Sequence, residues 1–404
     1  MTSIGTSPYL NVWRALLALA VVFVMLATTG WTALHTHRES TALQASFDAW
    51  EQDSLHGHPL PDPHEAPARL SAFFDSLSPQ DRSDLAHRHP LVVGNMNGAP
   101  AQLRYRANRI ALDEAREVEK KRMHDNRLSP DGQQEASARM HRFEELMARG
   151  RHILAFDPGG SGRVAEVFGS LTKAERISVV VPGVDTDLLT FEKSNRPYTA
   201  PVGMAKALYA AEHAKDPSTR TAVIAWADYT APAGLGVDAA TAMRADDGAV
   251  RLNALLRALP GGAPVSMFCH SYGSVVCGVA APGMPRRVTD LAVAASPGMR
   301  VASAAHLHTS ARVWAMRDPT DWIQDVPYLE VGGLGHGQDP VSAAFGARVL
   351  SARDAKGHAG YFEPGTDSLS NLADIGVGAY RSLRCAHDGD ACREHVPGVT
   401  VGRA

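Results

Sequence analysis

The chain has 404 residues, with 40 Lys and Arg against 43 Asp and Glu and a formal net charge of −3. The basic residues are scattered rather than gathered into tracts, which excludes an electrostatic nucleic-acid binder. With 45% hydrophobic and 21% charged residues the composition is that of a globular protein, and 25 prolines and 35 glycines without a period suit a loop-rich α/β enzyme.

The first predicted element is Ala15 to Leu34, twenty residues without a charge. That length crosses a bilayer as a helix. Arg14 precedes it, and Trp13 and Trp31 stand where interfacial aromatics belong. An uncleaved anchor and a signal peptide cleaved before secretion are the two readings. The run exceeds the usual apolar region of roughly 7–15 residues and no A-x-A site follows it, which favours a single-pass anchor. Residues 1–14 then form a short cytoplasmic tail and the bulk of the chain lies outside the cell, Arg14 being the positive flank.

Residues 35–68 are polar and proline-bearing (GHPLPDPHEAP) and read as a juxtamembrane linker with a helix near Thr41–Leu55. Residues 69–150 are helical in pattern. RLSAFFDSLSPQDRSDLAHRHP breaks at Ser78-Pro79. RYRANRIALDEAREVEKKRM and DGQQEASARMHRFEELMARG are two charged amphipathic helices. This segment packs on the next domain as a lid or a buttress. Its heptads are too short to prefer a coiled-coil partner.

Beyond Gly150 the texture changes. Apolar runs at 152–157, 176–183, 221–228, 265–269, 290–296 and 311–317 are each followed by Gly, Pro or Asp. Continuous apolar runs suit strands buried on both faces of a parallel sheet. Helical patterns lie between them, such as Leu252, Leu255, Leu256 and Leu259. Residues 151–384 are therefore a doubly wound, mostly parallel α/β domain, with its ligand at the carboxyl ends of the strands.

PVSMFCHSYGSVVCGVA (264–280) is a strand, a sharp turn and a helix of small residues, with Ser271 at the turn. This is how an alpha/beta hydrolase exposes its nucleophile, although the first glycine of G-x-S-x-G is here Cys269. A serine needs a base held by an acid, and in this architecture they follow it as acid and then His. Asp318, directly after the run 311–317, is the first candidate acid, with Asp321 and Asp325 nearby. His358, in a glycine-flanked loop, is the candidate base, and His336 the second choice. The oxyanion would be met by the backbone N–H of Tyr272 and one from the loop after VVVPGVDTDL, at Val184 or Asp185.

Cys269 and Cys277 read as small buried hydrophobes. Cys385 and Cys392 lie among polar residues, and in an exported chain they form a disulfide within a C-terminal tail, 385–404. Free thiols there would favour an anchor facing inward. No metal set is apparent, and the chemistry calls for no cofactor.

HPLVVGNMNGAPAQLRYRANRIAL (89–112), VVVPGVDTDL, AVIAWADYTAP, FCHSYGS, HGQDPVSAAFGARV and GHAGYFEPGTDSLSNLADI together resemble an alpha/beta-hydrolase family of Gram-positive bacteria without an assigned function. In the first segment Gly94, Asn95, Gly98, Pro100, Arg104, Ala107, Asn108 and Arg109 carry the likeness. The resemblance spans about residues 70–380. It implies Ser271 as nucleophile, Asp318 as acid and His358 as base. Cys269 and Asp228 depart from the pattern, each standing where glycine is common. The expected protein is a membrane-anchored serine hydrolase acting on a small-molecule or lipid ester, or on an acyl group of the cell envelope. A binding or scaffold protein on an impaired hydrolase fold is the alternative.

Overall fold

A computed structural model describes residues 42–387 and 389–396. The anchor expected at 15–34 and the tail before it lie outside them. Among the described residues no helix is long and apolar enough to cross a membrane.

The chain enters through α1 (Ala42–Glu51) and a short hairpin, β1 (Ser54–Leu55) with β2 (His58–Pro59). Trp50 is fully buried against Leu70, Phe74 and Leu85. Residues 42–68, expected as a linker, thus belong to the packed body from Ala42 onward. Helices α2 (Pro67–Ser76) and α3 (Pro79–Arg88) meet at the predicted break. There Ser78 accepts a hydrogen bond from the Asp81 N–H while Pro79 occupies the first turn, where no N–H is needed. Next come α4 (Pro90–Asn95), α5 (Ala101–Arg122) and α6 (Pro130–Leu146), the last capped by Ser129.

The sheet has eight strands: β3 (Ile153–Asp157), β4 (Arg163–Gly169), β5 (Arg176–Val181), β6 (Thr221–Ala227), β7 (Val265–His270), β8 (Val288–Ala294), β9 (Arg312–Met316) and β12 (Arg348–Val349). Their order is β12-β9-β8-β7-β5-β6-β4-β3. Only the β3–β4 and β4–β6 pairings are antiparallel. A separate hairpin, β10 (Glu330–Val331) with β11 (Leu334–Gly335), lies outside it.

Alternate residues of each central strand feed two apolar layers. Val180, Val223, Phe268 and Trp314 face α7 (Pro201–Lys215) and α11 (Asp367–Val377). Val179, Ile224, Met267 and Val293 face α9 (Met243–Ala258) and α10 (Gly273–Ala280). Burial of each such side chain contributes roughly 1.5–3 kcal/mol, and burial on both faces explains why the runs show no polar alternation. A short helix, α8 (Val237–Ala240), precedes α9.

The helical segment packs at the β3 edge, four strands from β7. Its unusual residues are spent on that joint. The Asn95 side chain donates to Phe156 O (2.6 Å) and accepts from Phe156 N–H (3.0 Å). Asn108 Nδ2 donates to Ile153 O and Gly94 O, both at 3.0 Å. A Cβ at Gly94 would stand 2.0 Å from Asn108 Oδ1. Arg104 Nε donates to Gly94 O (3.1 Å) and Arg109 to Met147 O (2.7 Å). An open sheet edge exposes unpaired backbone groups, and here the two asparagines satisfy them. The segment is a buttress at that edge.

Candidate active site

Cys269 and His270 end β7, and α10 begins at Gly273, so Ser271 must turn the chain almost in place. It does so at φ 54°, a left-handed conformation that costs a residue with a side chain about 1–2 kcal/mol. The surroundings hold it. Ser271 N–H donates to Ala294 O (3.0 Å), and Ser271 O accepts from the N–H (2.9 Å) and the hydroxyl of Ser274. A Cβ at Gly273 would stand 2.3 Å from Val181 O, so the second glycine of the pattern is obligatory. The position of the first is filled differently from expectation. Cys269 is joined to Cys277 by a disulfide (Cα–Cα 6.5 Å). These two are therefore not reduced apolar fillers, and the bond runs from β7 to α10, with Ser271 between them. Cys385 and Cys392 are also joined (Cα–Cα 5.5 Å).

His358 lies in a 3-10 turn, Gly357–Phe362, that leads into α11. Its Nε2 is 2.8 Å from Ser271 Oγ and its Nδ1 is 2.9 Å from Asp321 Oδ1. Asp321 is fully buried. Burial alone would raise its carboxyl, but hydrogen bonds from His358, Ile323 N–H and Tyr361 O–H outweigh that and hold it below the usual range. A carboxylate thus orients an imidazole whose other nitrogen faces the serine hydroxyl.

Asp318, the first candidate for the acid, does not touch His358. The chain turns after it, with Asp321 N–H donating to Asp318 O (3.1 Å), and this turn delivers the carboxylate three residues later. Asp318 Oδ1 instead accepts from the Thr320 N–H and hydroxyl, and Thr320 Oγ1 accepts from Gly357 N–H (3.1 Å). It braces the loop that carries His358. Asp325 is exposed. His336 does not reach Ser271 Oγ: its Nε2 donates to Ala239 O (2.7 Å), and its ring meets Tyr272 edge-on at 5.7 Å.

The loop after β5 lies directly against the serine. A Cβ at Gly183 would stand 2.6 Å from Ser271 Cβ. Tyr229 O–H donates to Pro182 O (2.7 Å), which fixes this loop. Asp185 N–H is already engaged by Pro232 O (2.9 Å). Among the described residues the Tyr272 and Val184 amides take no acceptor, so these two are free to meet a developing negative charge. Asp228, the other departure from the pattern, stands 3.4 Å from Arg163 and 3.6 Å from Arg251, an ion cluster joining β4 and α9.

His270 is a site residue that the sequence motif hid as a spacer. Its Nε2–H donates to the backbone O of His358 (2.7 Å), tying β7 to the loop that carries His358. Burial, and then the neighbouring His358, lower its pKa to about 4, so the ring is neutral near pH 7. Trp322 covers His358 from outside, with ring centroids 4.6 Å apart.

Two excursions frame the site. One runs through α8, where Thr241 O accepts from Tyr272 O–H (2.8 Å). The other runs from Trp322 through the β10–β11 hairpin to His336. Of nine exposed large apolar side chains among the described residues, seven lie on these excursions: Leu235, Val237, Met243, Trp322, Leu329, Val331 and Leu334. A separate cleft of about 830 Å3 between α7 and α11 is bordered by none of Ser271, Asp321 or His358.

Residues 157–331 match the family model described as alpha/beta hydrolase. Two proteins of Mycobacterium tuberculosis, named Uncharacterized protein Rv2079 and Uncharacterized protein MT2140, are each 27% identical over 405 residues, covering 85% of this chain. The chain spans 60% of the length of these curated relatives. Among solved structures, a dienelactone hydrolase from Anabaena variabilis is similar at 18% identity, over 55% of this chain and 93% of its own, with a TM-score of 0.34. A serine hydrolase without lid from Xanthomonas campestris is similar at 12% identity, over 58% and 96%, with a TM-score of 0.33. The strand order around β7 and the match over residues 157–331 agree on the architecture: this part of the chain has an alpha/beta-hydrolase fold on a mostly parallel sheet.

Proposed function

We propose that this chain is a serine hydrolase that cleaves a carboxylic ester with an apolar acyl or alcohol part. The observation that carries the reading is His358, bonded on one side to Ser271 Oγ and on the other to the buried Asp321. Ser271 Oγ attacks the ester carbonyl carbon while His358 Nε2 takes its proton. The carbonyl oxygen gains negative charge and is met by the Tyr272 and Val184 amides. The intermediate collapses, the C–O bond breaks, and His358 returns the proton to the departing alcohol. Water, deprotonated by the same imidazole, then releases the acid and frees Ser271. The Ser-His-Asp geometry does not distinguish oxygen, sulfur or nitrogen leaving groups. The exposed apolar side chains on the two excursions support an apolar ester, since they offer apolar surface to a substrate on the segments that pack against Tyr272 and His358.

A binding protein on an impaired fold would call for an elbow disrupted at Cys269 or a helical segment free to dock a partner. Cys269 sits in an elbow whose serine holds the left-handed turn, and the helical segment is occupied with the β3 edge. Neither observation now favours it. Placement outside the cell, anchored through residues 15–34 or secreted, is supported by the pairing of all four cysteines, because disulfides persist in oxidising compartments.

The test is turnover of p-nitrophenyl esters from two to sixteen carbons by the purified chain, with fluorophosphonate labelling at Ser271. The expected result is labelling that esters suppress and a rate optimum at medium or long chains. A well-folded chain that neither labels nor turns over any ester overturns the reading.

A further inference from the structure

We propose that the Cys269–Cys277 disulfide is a positioning element of the active site, a covalent clip that holds Ser271 in its left-handed turn and the Tyr272 amide toward the substrate. The proposal rests on the serine-hydrolase reading and goes beyond it, because it assigns a role to the two residues that depart most from an ordinary elbow.

The elbow joins two elements that must stay close while the residue between them is strained. Cys269 precedes Ser271 by two positions and Cys277 follows it by six, so the bond closes a ring of chain with the nucleophile inside. Both cysteines are buried, at 2% and 0% exposure. Helix α10, which carries Cys277, is held elsewhere by apolar packing, by close approach and, at its far end, by a hydrogen bond from Asn253 Nδ2 to Ala280 O (3.0 Å). A Cβ at Gly273 would stand 2.3 Å from Val181 O, and one at Gly278 would stand 2.2 Å from Met299 O. The close approaches keep the helix from moving inward, and the one hydrogen bond from α9 acts at Ala280, the end of the helix remote from Ser271. The disulfide is the one covalent restraint across the gap between β7 and α10, and it sits at the position where a glycine would otherwise let strand and helix pack together. Cysteine at 269 therefore exchanges close packing for a bond. That exchange answers why a non-glycine residue is compatible with a formed elbow and with a 2.8 Å contact between Ser271 Oγ and His358.

The second disulfide supplies an internal control. Cys385–Cys392 lies beyond α11 and touches none of the triad. A disulfide that served stability alone would act as Cys385–Cys392 does, on the folded fraction and not on the chemistry of each folded molecule.

The experiment compares wild type, Cys269→Ala/Cys277→Ala and Cys385→Ala/Cys392→Ala in fluorophosphonate inactivation, separating the maximal rate constant kinact from the half-saturating concentration KI. All are measured at a temperature where circular dichroism shows each fully folded. The expected result is a tenfold or greater fall in kinact for the 269/277 variant, with KI within about twofold. The 385/392 variant should match wild type. If the 269/277 variant does not fold, wild type is reduced in place, the open disulfide is identified by mass spectrometry, and kinact is followed through reduction and reoxidation. It should fall and recover with the 269/277 pair. A kinact unchanged by loss of the 269/277 bond, in the folded variant or the reduced wild type, overturns the clip while leaving the hydrolase reading standing. Absence of labelling in folded wild type with both disulfides intact overturns both.

Discussion

Two regions of this protein are dense in glycines, buried polar groups and short hydrogen bonds: the β3 edge, where the helical segment docks, and the end of β7, where Ser271 sits. At the β3 edge the donors meet acceptors within the protein, Arg104 reaching both Gly94 O and the Asn97 side chain. Asn95 and Asn108 are consumed by Phe156, Ile153 and Gly94. At the end of β7 a chain of bonds runs from Asp321 through His358 to a serine oxygen, and the Tyr272 and Val184 amides beside it are left without an acceptor. The first arrangement joins the helical segment to the strand through backbone groups and leaves one buried oxygen, Asn108 Oδ1, without a partner. The second is a carboxylate, an imidazole and a hydroxyl in series beside two amides without an acceptor. Neither density of unusual residues nor a single unpaired atom therefore distinguishes the two regions; the ordered series of titratable groups does.

The contrast can be broken by mutation. Ser271→Ala should abolish fluorophosphonate labelling and lower ester turnover by roughly 10⁴-fold or more, with the melting temperature nearly unchanged. An alanine variant that still labels would move the nucleophile elsewhere. At the β3 edge the effects should be reversed. Asn95→Ala and Asn108→Ala leave backbone groups at the joint unpaired, each costing about 1–3 kcal/mol. Denaturant melts should show that loss, while turnover per folded molecule stays within about twofold. A large fall in per-molecule turnover would make the helical segment part of the site.

His270 lies between the two kinds of residue, since it is structural in its bonding and catalytic in its location. Its folded pKa of about 4 lies below the ordinary 6.5, so the unfolded chain binds the proton first. Its contribution to stability is present above about pH 6.5 and is lost as pH falls toward 4, on the order of 3 kcal/mol in full. Glu212 has the opposite slope. Burial raises its carboxyl to about 7, so it favours the folded state less as pH rises from 4.5 to 7. Comparing melts of wild type and His270→Gln across pH 4 to 7 isolates the first arm. Equal slopes in the two proteins would contradict it. A smaller effect than that of Ser271→Ala is expected from Tyr361→Phe, which removes the hydrogen bond to Asp321 and leaves the Asp318 N–H without its acceptor. About a tenfold fall in turnover at unchanged KM is predicted.

Much of this was legible in the sequence, for physical reasons. Strands buried on both faces write continuous apolar runs, and six of the eight were readable that way. β4 was missed because it pairs antiparallel and carries Arg163 and Glu166 within its apolar residues, and β12 because two residues make no pattern. Ser271 and His358 stand out because an elbow and a glycine-flanked loop have local signatures. The acid does not, because its place depends on a turn. Proximity to the strand end favoured Asp318, whereas the turn from Asp318 to Asp321 decides which carboxylate meets the imidazole. The Cys269–Cys277 bond was hidden for a related reason: apolar neighbours make a cysteine look like a filler, and only the fold reveals that a strand and the next helix bring the two within 6.5 Å.

The most direct test of the triad is the acylation rate of Asp321→Asn beside that of Asp318→Asn, measured with one ester across pH 5 to 9. The two residues are neighbours in the same turn, and only one touches His358. The predicted result is a fall of roughly 10³–10⁴-fold at neutral pH for Asp321→Asn and less than about tenfold for Asp318→Asn. The reverse order would contradict the assignment of Asp321 as the residue that orients the base.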